Sequence, residues 1–157
     1  MIATWKFRIK DSGSAGRKLV RMSRAVNFVW NFAKETQVNA LRAKSARIIS
    51  DKKTGQAIGI PNFLSAYELN NLVAGSSREL GLHSQSVQSV TEEYVRRRKQ
   101  FGKLLRWRGR KSLGWIPFKS SGIKISDDCV CFSGGKFKFW KSREFPSDAS
   151  LKTGSFS

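Results

Sequence analysis

The stretch RRRKQFGKLLRWRGRKSLGWIPFK, Arg96 to Lys119, decides how the chain is read. Its first sixteen residues, Arg96 to Lys111, hold nine cations and no acid, and LGWIPFK, Leu113 to Lys119, then brings a tryptophan, a proline and a phenylalanine into seven residues. Cations at that density need water or a polyanion, and the apolar run needs a core. The expectation is a helix whose basic end meets a phosphate backbone, followed by the first strand of a small barrel.

Upstream, Ser84 is placed to cap a long helix, with Val87, Val90, Tyr94, Phe101 and Leu105 as its core-facing stripe. On that helix Arg96, Lys99, Lys103 and Arg106 recur three and four apart, which sets them on one side within reach of successive phosphates. Arg97 flanks the stripe, where its stem covers apolar surface and its head meets solvent. Gly102 weakens the helix end by about 1 kcal/mol relative to Ala. Arg108, Arg110 and Lys111 carry the patch into the connection. Trp107 among them has two readings, a platform for an exposed base or a core residue at a helix end. Gln85 and Gln88 near the helix start could bond base edges or phosphates, or simply face solvent.

The N-terminus alternates Trp5, Phe7 and Ile9 with polar residues, the period of a half-buried strand from Ile2 to Lys10. Asp11 to Gly16 reads as a loop. From Arg17 the period changes, and Leu19, Met22, Val26, Val29, Trp30 and Ala33 predict an amphipathic helix reaching about Ala43. Lys18, Arg21 and Arg24 form a cationic row on its other face. Asp51 to Gly59 reads as another loop, and Pro61 opens a short helix through Phe63, Leu64, Tyr67 and Leu72 that Gly75 stops. Beyond Leu113 the pattern is that of strands: an edge strand holding Pro117, then Ile123 and Ile125, a turn at Asp127-Asp128, Cys129 to Phe132, and a tight Ser133-Gly134-Gly135 turn onto Lys136 to Trp140. Pro146 to Ser157 has no defensible period. The fold class is therefore α+β, a small antiparallel barrel-like domain interrupted by a helical-bundle insertion. Its boundaries fall at residues 1–12 for the first strand, 13–111 for the helices and 112–157 for the remaining strands, because a first strand cannot be stable alone and must pair with the later ones.

Thirty Lys and Arg against eleven Asp and Glu in 157 residues give a net charge of +19. That excess, spread along the whole chain, points to nucleic acid ahead of its alternatives, a ribosomal-type protein or a binder of anionic membrane surfaces. No apolar run suits a signal peptide or a membrane span, which leads to an expected cytoplasmic location. Cys129 and Cys131, two apart on a strand, cannot close an unstrained disulfide, and His83, the only histidine, does not complete a zinc site with them, so no metal or cofactor is expected. Glu92 and Glu93 lack a carboxylate partner at metal-holding spacing, Asp127 and Asp128 read as a turn, and no phosphate-cradling glycine loop occurs. Binding, without catalysis, is the expected activity. No helix carries a polar face rich in base-reading side chains, so shape and backbone recognition are favoured over direct sequence readout, as suits an A-form duplex.

Together, NFVWNFAKET (Asn27 to Thr36), LGLHSQSVQSVTEEYVRRRKQF (Leu80 to Phe101), LGWIPFK and the closing LKTGSFS (Leu151 to Ser157) resemble the N-terminal region of the TnpB (OrfB) family. Its members are transposon-encoded, RNA-guided DNA endonucleases related to type V CRISPR effectors. The resemblance implies a barrel-like wedge domain interrupted by a helical recognition domain, which together hold the guide RNA scaffold and the guide–target heteroduplex. Carried over by position, Lys18, Arg21, Arg24 and the basic end of the long helix would face heteroduplex or guide, and Lys119 would lie near RNA. In the family a segment like LKTGSFS precedes a last wedge strand and a RuvC-like nuclease. This sequence stops before any such part, so the resemblance implies a fragment without the nuclease, whose partners are guide RNA, an RNA–DNA heteroduplex or DNA. Two other readings stand beside it: a regulatory protein that pairs or competes with a full-length or separately encoded nuclease, and a guide-independent DNA-binding repressor.

Overall fold

The computed structural model describes residues 2–10, 13–43, 47–112 and 114–157, with the side chains at 47 and 49 outside that description. Helix α1 runs Gly13–Arg42, strands β1 and β2 are Arg47–Ser50 and Ala57–Ile60, and helices α2, α3 and α4 are Ala66–Val73, Ser77–Leu80 and Ser84–Phe101. Strand β3 is Ile116–Lys119, a 3-10 turn covers Ser120–Gly122, and β4 to β7 are Ile123–Ser126, Cys129–Phe132, Gly135–Lys138 and Thr153–Phe156. The chain is α+β.

The helical core follows the apolar spacing. Met22, Val26, Val29, Trp30 and Ala33 of α1 are buried, facing Val87, Val90, Tyr94 and Val95 of α4. The Trp30 and Tyr94 rings meet edge to face, 5.2 Å apart at 85°, an arrangement worth about 1 kcal/mol beyond the area buried. Leu69 and Val73 of α2 complete this core. Gln37, with no exposed surface, is satisfied from several sides: it donates to the Asn62 carbonyl at 2.9 Å, accepts from the Leu64 N–H at 2.8 Å and accepts from the buried guanidinium of Arg98. Burial holds Arg98 below the ordinary arginine pKa.

Several boundaries differ from expectation. Helix α1 begins at Gly13, inside the stretch read as a loop; Asp11 and Ser12 lie outside the described residues. The Asp51–Gly59 stretch read as a loop runs into β2, which starts at Ala57 and pairs there with Ser50 of β1. Asp51 organises this hairpin, accepting from the Lys53 N–H at 3.0 Å and the Thr54 hydroxyl at 2.9 Å, and these bonds hold its carboxyl below the usual range. Pro61, Phe63 and Leu64 precede α2, because Ser65 and Glu68 form a reciprocal capping box at its start. The long helix α4 is capped by His83, whose Nδ1 accepts from the Gln85 N–H at 3.3 Å, rather than by Ser84. It ends at Phe101 because Gly102 adopts φ 62°, the left-handed stop. Lys103, Leu105 and Arg106 therefore follow the helix, and Phe101 is 56% exposed rather than in the stripe.

Three antiparallel sheets hold the strands: β1 with β2, β3 with β7, and β4-β5-β6. No closed barrel joins them among the described residues. The last two sheets share an aromatic core, with Phe156 of β7 lying 5.5 Å from both Phe118 and Phe132 and 5.4 Å from Phe137. Gly154 makes room for it, since a Cβ there would stand 2.4 Å from the Phe118 ring. The expected first strand is reduced to one bridge, Ile9 to Phe139. Trp5 and Phe7 instead pack as an aromatic cluster on Phe139 and Phe145, with Phe7 5.2 and 5.3 Å from those rings and Trp5 stacked on Phe145 at 5.8 Å.

Candidate nucleic-acid interface

The basic connection is held as a strap along α1. Residues spaced along one side of that helix bind its backbone. The Lys34 ammonium donates to the Leu105 carbonyl, and the Trp30 indole N–H to the Arg106 carbonyl at 3.1 Å. Asn31 both donates to the Arg108 carbonyl and accepts from its N–H, each at 2.8 Å. The Asn27 amide donates to the Ser112 carbonyl at 2.6 Å, and the Ser23 hydroxyl accepts from the Gly114 N–H at 2.9 Å. From Lys34 with Leu105 at one end to Ser23 with Gly114 at the other, the two run antiparallel, with Trp30 and Asn31 together holding the middle. Each such bond contributes on the order of 1 kcal/mol, and together they replace the helical order that Gly102 ends.

Arg108 is the one strap cation turned inward. Its guanidinium lies 4.0 Å from the centre of the Trp30 ring and 5.0 Å from that of Trp115, and burial, with Arg97 adding to it, lowers its pKa. Its side chain is half-buried, where the other strap cations are exposed. Arg106, Arg110 and Lys111 point outward and exposed, and Trp107 is 55% exposed. The Lys34 ammonium stands 4.9 Å from the Trp107 ring centre. The core reading of Trp107 therefore gives way to an exposed ring among cations. Arg24, at the i, i+3, i+7 spacing with Asn27 and Asn31, is exposed on the strap side of α1.

The other sequence-chosen residues divide. Lys99 and Lys103 are exposed. Arg96 and Arg97 are exposed too, but both bind Glu93, each at 2.6 Å. Glu93 is partly buried, which pushes its pKa up, yet hydrogen bonds from Arg97 and Arg96 and their charge prevail and hold it below the usual range. Lys119 pairs with Glu92 at 3.3 Å, and Gln85 accepts from the Ser121 hydroxyl. These two contacts tie α4 to β3 and the turn after it. Gln88 is exposed. Lys18 is half-buried, its Cδ 3.0 Å from where a Cβ on Gly135 would stand, and it lines a shallow depression with Ser14, Arg17 and Arg21.

The residues missed in the sequence are the ones that hold the strap, Ser23, Asn27, Asn31 and Lys34. Their signal was present as three short polar side chains and a lysine at helical spacing beside the apolar stripe, but only the strap's position explains them. Among the described residues no group of three or more His, Cys, Asp or Glu could hold a metal ion, and no helix is long and apolar enough to cross a membrane. His83 packs its ring against Gly122, where an added Cβ would stand 2.9 Å away. No family model, curated protein or solved structure matches the chain.

Proposed function

We propose that the chain binds nucleic acid through its phosphate backbone, as a TnpB-like recognition and wedge fragment that holds a guide RNA scaffold or a guide–target heteroduplex and does not itself cut. One observation carries this reading. The peptide groups of Leu105, Arg106, Arg108, Ser112 and Gly114 are bonded to side chains of α1 while the side chains of Arg106, Trp107, Arg110 and Lys111 remain exposed. Cations on a pre-ordered backbone lose little further entropy on meeting phosphates, so their attraction is retained as affinity. Recognition is by shape, since the outward groups are guanidinium, ammonium and one ring rather than an array of carboxamides.

The test is a salt titration with a structured RNA and with an RNA–DNA duplex, comparing the native chain with the combined Arg106→Gln, Arg110→Gln, Lys111→Gln variant. Each lost phosphate contact should flatten the slope of log affinity against log salt by about 0.7 to 0.9. An unchanged slope, or failure of the native chain to bind either ligand at moderate salt, would overturn the proposal.

A further inference from the structure

We propose that the outer face of the β4-β5-β6 sheet is a second nucleic-acid surface, one that takes the phosphate backbone of a single strand. This rests on the reading of the chain as a nucleic-acid binder but uses none of the strap residues. The register builds the face. Lys124, Cys131 and Lys136 lie opposite one another across the three strands, and Ser126, Cys129 and Lys138 form the neighbouring row. Residues two apart on a strand share a face, so all six point the same way. The other face carries Ile123, Val130, Phe132 and Phe137, all buried.

The N-terminal segment widens the face. Lys10 donates its N–H to the Lys138 carbonyl at 2.8 Å and Trp140 donates to the Arg8 carbonyl at 2.8 Å, which sets Lys10 beside Lys138 and Arg8 beside Trp140. Lys124, Lys136 and Lys138 are exposed, and none has a carboxylate within ion-pair distance among the described residues. The two acids of the β4–β5 turn are engaged by other cations: Asp128 lies 3.8 Å from the Lys10 ammonium and Asp127 3.4 Å from that of Lys141. Trp140 is 60% exposed, with that same ammonium 4.5 Å from its ring centre.

Charge complementarity names the occupant. Three ammonium groups on one sheet face, unpaired among the described residues, repel one another unless an anion with regularly spaced charges lies across them. Lysines two apart on a strand stand about 7 Å apart, a step comparable with neighbouring phosphates of an extended strand. A ring exposed at the edge offers a stacking platform for a base of that same strand. A rigid duplex would touch only part of so small a face. The half-buried thiols of Cys129 and Cys131 sit in the middle of it and report on whatever covers it.

The experiment uses the full chain and a fluorescein-labelled oligouridylate. The variant is Lys124→Gln, Lys136→Gln, Lys138→Gln, and a control with the same charge loss off the face is Lys52→Gln, Lys53→Gln, Arg78→Gln. The face variant should bind about tenfold more weakly than the control, with a salt slope lower by about 2 for three lost contacts. Oligouridylate should also protect Cys129 and Cys131 from N-ethylmaleimide in the native chain and the control, and not in the face variant. Equal affinity and slope in the two variants, with thiols alkylated as fast with the oligonucleotide as without it, would overturn the inference. The strap variant separates the two proposals: if it loses binding while the face variant matches the control, the strap reading stands and this one falls; the reverse pattern keeps the face and removes the strap. A native chain that binds no nucleic acid removes both.

Discussion

Asn31 holds the peptide of Arg108 from both sides, donating to its carbonyl and accepting from its N–H at 2.8 Å each. A side-chain amide imitating a strand neighbour in this way fixes the middle of the strap without constraining the outward side chains. Asn31→Ala removes both bonds and leaves two peptide groups to water. The expected loss is about 1–3 kcal/mol of stability. Because the strap carries arginines and a lysine, trypsin reads its release directly: cleavage between Arg106 and Lys111 should accelerate in the variant well before global unfolding. Equal nicking rates in the variant and the native chain would show that Asn31 does not fix the strap.

Arg108 packs its half-buried guanidinium against aromatic rings, unlike the exposed Arg106, Arg110 and Lys111. Lying between Trp30 at 4.0 Å and Trp115 at 5.0 Å, its planar guanidinium covers aromatic surface that an ammonium would cover poorly. Arg108→Lys should lower the thermal midpoint by several degrees, as about 1–2 kcal/mol does in a domain of this size, while the salt slope for RNA changes by less than one contact's share. A full contact's loss of slope with no change in midpoint would place Arg108 at a phosphate instead.

Much of the fold was legible because the long helices obey one period over many turns. Met22 to Ala33 and Val87 to Tyr94 name their own core, and the Ser133-Gly134 pair, at φ 47° and 73°, names its hairpin. What was not legible depends on partners far along the chain. The segment Thr153–Phe156 is a strand because Phe156 completes an aromatic core that Phe118, Phe132 and Phe137 leave open; four residues show no period of their own. The basic run looked like one helical face because spacing was continued through Gly102, where the chain in fact turns left-handed. Charge density marked the basic run as the candidate region, but which of its cations are unpaired depended on Glu92, Glu93 and the Trp30–Trp115 pair, and spacing alone does not show that.

Tyr94 offers a test of the helical core. It has no exposed surface, its hydroxyl has no hydrogen-bond partner among the described residues, and burial raises its pKa with the Arg98 charge opposing. A buried hydroxyl without a partner costs on the order of 1–3 kcal/mol of desolvation. Tyr94→Phe keeps the edge-on contact with Trp30 and removes that cost, so chemical denaturation should show equal or greater stability, by up to about 1 kcal/mol. A loss of more than that would mean the hydroxyl is satisfied in solution, by water or by Arg98.

Glu93 sets how much of the α4 charge is available. It binds Arg96 and Arg97 together, so the three groups present one net positive charge where Glu93→Gln would present two. The variant should bind RNA severalfold more tightly at low salt, and the advantage should shrink as salt rises. Its stability should fall only slightly, since i, i+3 and i, i+4 helix pairs whose arginines are exposed contribute about 0.5 kcal/mol each. The pH dependence has a definite sign. The folded-state pKa of Glu93 is below its unfolded value, so the pairs contribute fully above the ordinary glutamate range and their contribution is lost as pH falls through the lowered value. Denaturation curves at neutral pH and at progressively lower pH should therefore show the native chain losing its small advantage over the variant, and RNA affinity of the native chain should rise toward that of the variant over the same interval. A native chain that stays weaker than the variant after Glu93 is protonated would show that the arginines are not what the carboxylate withholds from the ligand.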